Sequence, residues 1–331
     1  GAMPNTFDWA QIDSPEKFDQ IALNRYRDQY THVAVYREFC DHLGRSPEQV
    51  ESVEQIPYLP ISFFKTHQVV RKGSALNRFF TSSATTGMVP SKHYVPRIEV
   101  YEASFRLGWE LFYGPIENYC VLALLPSYLE RTGSSLVYMA QDMIQRSKHP
   151  KSGFYLDQFK ELSETLLALE ASQTPTLLLG VTFALLDFAA QYPMALKHTI
   201  VMETGGMKGR GREMIREEVH QKLSDAWGGT AIHSEYGMTE LLSQAYSLGG
   251  GVFSCPPWMR VNIRDTEDPL TRLPEGQSGG IDIIDLANVD SCSFISTQDL
   301  GRSTGPGQFK VLGRFDHAEI RGCNLLVAVH Q

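Results

Sequence analysis

Residues 81–92 read TSSATTGMVPSK, and five of the first eight side chains carry hydroxyls: Thr81, Ser82, Ser83, Thr85 and Thr86. Gly87 then loosens the backbone and Lys92 closes the stretch. Closely spaced hydroxyl and backbone N–H donors with one inward-reaching cation can hold a polyphosphate without bulky side chains in the way. The common phosphate loop GxxxxGK[ST] is absent, because no lysine follows Gly87 directly. A surface turn rich in Ser and Thr would read the same way in isolation. A second stretch, HSEYGMTE at 233–240, sets an aromatic face (Tyr236) beside a permissive backbone position (Gly237). It adds a hydroxyl (Thr239) and a carboxylate suited to a magnesium ion (Glu240). A third lies in STQDLGR at 296–302 and GRFDHAEIRG at 313–322. There Asp299 can accept from two ribose hydroxyls, and Arg314 and Arg321 can reach phosphate or sugar oxygens. Taken singly, each of these could equally be a turn or a surface ion pair.

The elements that must position these groups are readable from periodicity. Ser14-Pro15-Glu16 starts a helix, and Phe18, Ile21, Ala22 and Tyr26 repeat at helical spacing toward Gly44. The two-proline segment IPYLPISFFK at 56–65 reads as an extended, buried lead-in to the hydroxyl loop and not as a helix. Ile98, Tyr101, Phe105 and Trp109 mark a helix after Pro96. Apolar runs at 120–125, 176–179, 199–202 and 230–233 read as buried strands. Helical patterns at 159–169, 183–188 and 211–227 separate them, so the second stretch follows a strand, where open α/β sheets bind ligands. Past Gly249-Gly250-Gly251 the texture turns β-rich, with GIDIIDL at 280–286 and a short strand at 293–297. The expected division is an α/β core over 3–250 and a β-rich subdomain with a tail over 251–331. Gly1 and Ala2 are set aside as a remnant ahead of Met3.

Composition narrows the function class. A formal net charge of -8 argues against a nucleic-acid partner and against an anionic membrane surface. No apolar run approaches the length of a membrane span, and no secretory signal opens the chain. Five scattered cysteines form neither a CxxC pair nor a disulfide framework, which suits a reducing cytoplasm. The ten histidines show no paired metal spacing.

The order of the stretches carries more than any one of them. A hydroxyl-rich loop, a Tyr-Gly-x-Thr-Glu turn, the segment GQSGGIDI at 276–283, a QDLG turn and a GRxD…RG stretch follow one another. In that order they resemble the adenylate-forming superfamily of acyl ligases, over roughly residues 56–322. Within it the chain is most similar to the LuxE-type acyl-protein synthetases. IPYLPISFFK, ETGGMKGRGREM (203–214), SEYGMTELLSQAY (234–246) and RGCNLL (321–326) carry that closer match.

The resemblance implies the N-terminal α/β domain of an adenylate-forming enzyme with a β-rich subdomain. It implies ATP and Mg²⁺ as cofactors and a carboxylic acid, expected to be a fatty acid, as substrate. Loop 81–92 (Thr81, Ser82, Ser83, Thr85, Thr86, Gly87, Lys92) would wrap the β- and γ-phosphates. Gly205 and Gly206 would line the adenine and Tyr236 would stack on it. Beyond Gly237, Thr239 and Glu240 would face the α-phosphate and its magnesium, and Asp299 and Arg314 would hold the ribose. Walls for the acid are expected from residues 109–113, 176–180 and the surroundings of Met238. In LuxE-type enzymes a cysteine near the C-terminus takes the acyl group as a thioester, a role that falls here on Cys323. Read without the family, Cys323 sits in an apolar run and looks like an ordinary buried cysteine. Two alternatives stand beside this reading: a ligase acting on coenzyme A or a carrier protein, and a non-catalytic adenylate-binding subunit. A donor or acceptor protein of the same pathway is a further expected partner. Two departures from the family follow. Ser83-Ala84 replaces the frequent Gly followed by Ser or Thr. The chain ends at Gln331 with no counterpart of the C-terminal lid domain and its second lysine, so Lys92 is expected to be the main phosphate-neutralising cation.

Overall fold

The computed structural model describes residues 6–83, 87–129, 131–205 and 214–315. Contacts group the chain into two units, one formed by residues 1–105, 237–244 and 254–331, the other by 106–236 and 245–253.

The second unit holds the parallel strands. In spatial order they are Ile232–Tyr236, Thr199–Thr204, Thr176–Val181, Cys120–Leu124 and Gly153–Tyr155, with Ala245–Ser247 antiparallel beside the first. Cys120–Leu124 and Thr176–Val181 are buried at every position, as expected when both faces of a parallel sheet are covered. The helices Ser135–Ser147, Phe159–Ala171, Thr182–Gln191 and Arg216–Ala226 alternate with these strands. Ser134 caps the first of them by accepting from Val137 N. The sequence reading placed the strands and the helices after 159 correctly, within a few residues. It missed the helix Ser135–Ser147, whose apolar stripe (Met139, Ala140, Met143) is short.

The first unit is β-rich toward the C-terminal side of the chain. Met259–Arg264, Ser278–Asp285, Phe294–Gly305 and Gln308–Arg314 form an antiparallel meander. Gly279 and Gly280 are required within it. A Cβ at Gly279 would lie 2.2 Å from Arg264 O, and one at Gly280 2.4 Å from the Arg264 guanidinium carbon. Leu59–Pro60 pairs in parallel with the long third strand, Leu59 opposite Ile295, so the 56–65 segment does run extended. Its end nevertheless closes into one helical turn, Phe63–Thr66, because no proline follows Pro60 to forbid it. The first helical pattern is broken in two, Pro15–His32 and Ala34–His42, with Val33 extended between them. The Ser14 hydroxyl caps the start by accepting from Lys17 N at 3.1 Å. Arg25 and Gln29 on that helix are buried and reach the 286–293 segment. Arg25 donates to Leu286 O and to Ser293 Oγ, and Gln29 Nε2 donates to Asn288 O at 2.9 Å. Trp9 packs edge-on against Trp258 with centroids 5.1 Å apart. Among the described residues no helix is long and apolar enough to cross a membrane.

Candidate functional site

In the first unit, the hydroxyl loop hangs from a two-stranded hairpin. Phe79–Thr81 pairs antiparallel with Lys92–Tyr94, and Thr81 stands opposite Lys92. Ser82 N donates to Ser91 O at 3.1 Å and Ser91 N to Ser82 Oγ at 2.8 Å. The Ser82 hydroxyl thus helps close its own loop and keeps its proton for another acceptor. Gly87 adopts φ +83°, with no atom within 4 Å of where a Cβ would stand. Lys92 is exposed, its ammonium 4.4 Å from the Phe79 ring centroid and 5.8 Å from that of Tyr94. Two ring faces hold the cation in place without neutralising it. Thr85 and Thr86 lie outside the described residues.

Strand alternation turns the next residue, His93, inward, where it is fully buried. Its Nδ1 donates to Thr239 O at 2.7 Å, and its Nε2 is 3.0 Å from Asn288 Oδ1. Asn288 Nδ2 donates to Glu240 O and to Cys292 O, each at 3.0 Å, which fixes the orientation of the amide. Burial holds the His93 pKa below its ordinary value, against the pull of the Thr239 and Asn288 acceptors. Both peptide carbonyls of the Thr239-Glu240 turn are therefore clamped, one by the hairpin and one by Asn288. Asp285 secures the residues that follow, accepting from Leu242 N at 2.7 Å and from Ser243 N at 3.0 Å. Glu240 itself is 6% exposed. Burial pushes its carboxyl above the usual range, while the Ser91 hydroxyl, its own backbone N–H, Lys65 and Arg314 pull the other way.

Asp299 and Arg314 face each other on neighbouring strands. Arg314 Nε lies 4.0 Å from Asp299 Oδ1, and the arginine side chain is 67% exposed. Its NH2 donates to Gln298 Oε1 at 3.0 Å. The first unit therefore brings loop 81–92, the Thr239-Glu240 turn and Arg314 into one neighbourhood, joined at Ser91, His93 and Glu240. His93 and Asn288 were not singled out from the sequence. An inward histidine in a three-residue strand and an asparagine in a loop carry no motif.

In the second unit, Tyr236 ends the Ile232–Tyr236 strand, its ring centroid 5.8 Å from that of Phe253. Gly205 follows the adjacent strand with φ +76°, where a Cβ would come within 2.9 Å of the Tyr128 hydroxyl. Two buried carboxylates accompany them. Glu203 accepts from Arg216 NH1, from Thr182 Oγ1 at 2.9 Å and from Ser234 Oγ at 2.5 Å, and His220 Nε2 lies 3.3 Å away. Burial raises its pKa, but the His220 bond, the Arg216 charge and the Ser234 bond outweigh that and bring it to about 2. Glu235 accepts from Thr204 Oγ1 at 2.5 Å. Burial pushes it up, the Thr204 bond opposes, and the Glu203 charge adds, leaving it at about 7. An acid at the end of an apolar run, as in TIVMET, was the available sequence signal for Glu203.

Gly206 and Cys323 fall outside the described residues. The described cysteines are all free, and burial pushes the thiols of Cys255 and Cys292 up to about 12 and that of Cys40 higher. They are inert neutral thiols.

Residues 3–107 match the family described as acyl-protein synthetase, LuxE. A long-chain-fatty-acid–luciferin-component ligase of Vibrio harveyi is 23% identical over 96% of this chain and 89% of its own. Among solved structures, ATP-bound MatB from Rhodopseudomonas palustris superposes with a TM-score of 0.53 at 20% identity, over 74% of this chain and 49% of that one. The chain thus spans about half the length of MatB. A 2-hydroxyisobutyryl-CoA ligase bound to its acyl-AMP and CoA superposes with a TM-score of 0.67 at 16% identity, covering 93% of this chain and 70% of that one. These structures share the fold, a mixed α/β architecture with strand-rich and parallel-strand portions. On this footing the chain is similar to the LuxE acyl-protein synthetases over its N-terminal third and shares its fold with MatB and the 2-hydroxyisobutyryl-CoA ligase.

Proposed function

We propose that this protein activates a carboxylic acid with ATP and passes the acyl group to a thiol. The observation that carries the reading is the clamp joining the hydroxyl hairpin to the Thr239-Glu240 turn through His93 and Ser91. In the first step a carboxylate oxygen bonds to the α-phosphorus, the bond to the β-phosphate oxygen breaks, and pyrophosphate leaves. Ser82 and Lys92 bind the polyphosphate, and Asp299 and Arg314 take the ribose. Thr239 donates to the α-phosphate. The work is mainly positioning and charge neutralisation, with no acid–base residue required.

A single carboxylate beside phosphate oxygens fits the donor set that magnesium accepts, and the buried Glu240 with its elevated pKa is that carboxylate. Bound there, the ion would supply charge neutralisation on the phosphates.

In the second step the Cys323 thiolate attacks the acyl carbonyl. A C–S bond forms, the C–O bond to AMP breaks, and AMP leaves. The name of the Vibrio harveyi relative supports a long-chain fatty acid as the acid and a further protein of the same pathway as a partner. The deciding experiment is carboxylate-dependent ATP–pyrophosphate exchange with acids of graded length, followed by acylation with labelled acid. Exchange that persists in Cys323→Ser while covalent label disappears supports both steps. Exchange with no acid refutes adenylation, and label that survives in Cys323→Ser refutes the thiol assignment. Label transferred only when coenzyme A is present would replace self-acylation with a CoA ligase.

A further inference from the structure

The stretch from Gln55 to Ile98 holds six Lys and Arg residues and no Asp or Glu, in a chain whose formal net charge is -8. The whole-chain charge speaks against an anionic membrane, but it is an average from which this stretch departs. Three of the six cations already have acidic neighbours. Lys65 acts on Glu240, Arg71 pairs with Asp28 at 2.7 Å, and Arg97 pairs with Asp290 at 2.6 Å. Lys72, Arg78 and Lys92 are exposed and make no ion pair among the described residues.

Large apolar side chains crowd the same stretch. Of the twelve that stand exposed among the described residues, four are Leu76, Phe79, Met88 and Val89, at 38–62% exposure. A single exposed leucine is ordinary, but four such side chains set among unpaired cations mark a surface that meets something else. Sheet alternation turns Phe80 and His93 inward and leaves Phe79 and Lys92 outward, the ammonium 4.4 Å from the ring centroid. Leu76 and Arg78 run into the first strand of the hairpin, and Met88 and Val89 run toward the second. Backbone bonds pin the approach. Arg71 N donates to Asp290 O at 2.7 Å, Lys72 N to His32 O at 2.8 Å, and Val95 N to Arg78 O at 3.0 Å. A surface held in place this way loses little freedom on docking. An acidic polypeptide would answer the cations alone. A bilayer surface with anionic headgroups answers both halves, because phosphates attract the cations and the headgroup–acyl boundary takes the apolar side chains.

We propose that the outer face of the 79–94 hairpin, with the 72–78 segment leading into it, docks on an anionic lipid surface. Lys72, Arg78 and Lys92 lie against headgroup phosphates, and Leu76, Phe79, Met88 and Val89 enter the interface. The inference goes beyond the adenylation reading and does not rest on it.

Co-sedimentation of the full chain with lipid vesicles, in the absence of ATP and acid, tests it. Vesicles of phosphatidylcholine mixed with phosphatidylglycerol carry the protein down, and pure phosphatidylcholine carries far less. Added salt weakens the binding by screening the headgroup attraction. Lys72→Gln with Arg78→Gln weakens partition by about twenty- to thirtyfold, each cation near the surface contributing about fivefold. Leu76→Ser with Val89→Ser weakens it by about tenfold or more at unchanged charge, because less apolar area enters the interface. Leu167→Ser, equally exposed on the helix Phe159–Ala171, leaves it unchanged. All of these side chains are exposed, so folding is not at stake, and thermal melts verify it. No sedimentation with the mixed vesicles, or sedimentation indifferent to both double variants, would overturn the docking. Binding that is lost with Lys72 and Arg78, kept in full by the serine variant and stripped by poly-L-glutamate would overturn it too, and assign the surface to an acidic polypeptide.

Discussion

Replacing Glu203 by Gln removes a charge whose contribution can be worked from its surroundings. In the fold the carboxyl titrates at about 2 against a reference value of 4.5. The folded pKa is depressed, so the contribution is present above the unfolded pKa and fades as pH falls toward the folded one. The difference of 2.5 units, at about 1.4 kcal/mol each, amounts to about 3 kcal/mol at pH 7. At pH 3 the same linkage leaves about 1.4 kcal/mol, and at pH 2 about 0.4 kcal/mol. Glu203→Gln should therefore lower urea stability by about 3 kcal/mol at pH 7, with the deficit to wild type shrinking by about half or more at pH 3. The neutral amide keeps the shape and can still accept from Ser234, so lost packing does not enter. Parallel urea titrations of both proteins at pH 7, 4 and 3 give the comparison. A deficit that stays constant with pH would show that hydrogen-bond geometry, and not the Arg216 and His220 interactions with a carboxylate, stabilises this cluster. No deficit at pH 7 would remove the cluster from the account of stability altogether.

Glu235 should behave oppositely. Its folded pKa of about 7 lies above 4.5, so it costs stability progressively as pH rises from 4.5 to 7. Glu235→Gln should melt higher than wild type at pH 8 and equally at pH 4, and a ¹³C-detected titration should find the Glu235 carboxyl near 7. His93→Phe should fold yet lower ATP–pyrophosphate exchange by about ten- to a hundredfold, because the Thr239 carbonyl loses its donor and the turn loses its position. An unchanged exchange rate in a folded His93→Phe would separate the clamp from function. Gly279→Ala should destabilise by about 3 kcal/mol or more, since its Cβ meets the Arg264 carbonyl oxygen and backbone cannot move aside cheaply. A melting temperature within a degree or two of wild type would show that the strand can shift.

The parallel strands were legible because runs such as CVLAL and TLLLGV are apolar at every position and are bounded by helical periodicity. The order of the hydroxyl loop, the YGMTE turn and the QDLG segment was legible for a different reason. Each combines residue types that a packed core would not select. What could not be read were partnerships between residues far apart in the chain. Nothing near Asn288 announces that its amide holds the Glu240 carbonyl, and nothing near His93 announces Thr239. The Val33 break was hidden because a single extended residue leaves the apolar spacing on both sides intact. The antiparallel strands Met259–Arg264 and Gln308–Arg314 escaped because their outward residues are polar and their runs are interrupted by arginine and lysine.

The bonds from Arg25 and Gln29 to residues 286–293 have a consequence for how the chain is made. Arg25 and the Leu286 carbonyl are separated by 261 positions. At about 5–20 residues per second, a ribosome delivers the second partner roughly 13–50 s after the first. During that interval the Gln29 amide on the Pro15–His32 helix lacks its Asn288 acceptor, and the Arg25 guanidinium has Asp8 but neither the Leu286 carbonyl nor Ser293. The loop bearing Asn288, and with it the clamp on the Thr239-Glu240 turn, can form only once that late segment has emerged. The N-terminal helix is therefore a segment for chaperones to shield during synthesis, and the first unit closes only after residues 286–293 have emerged.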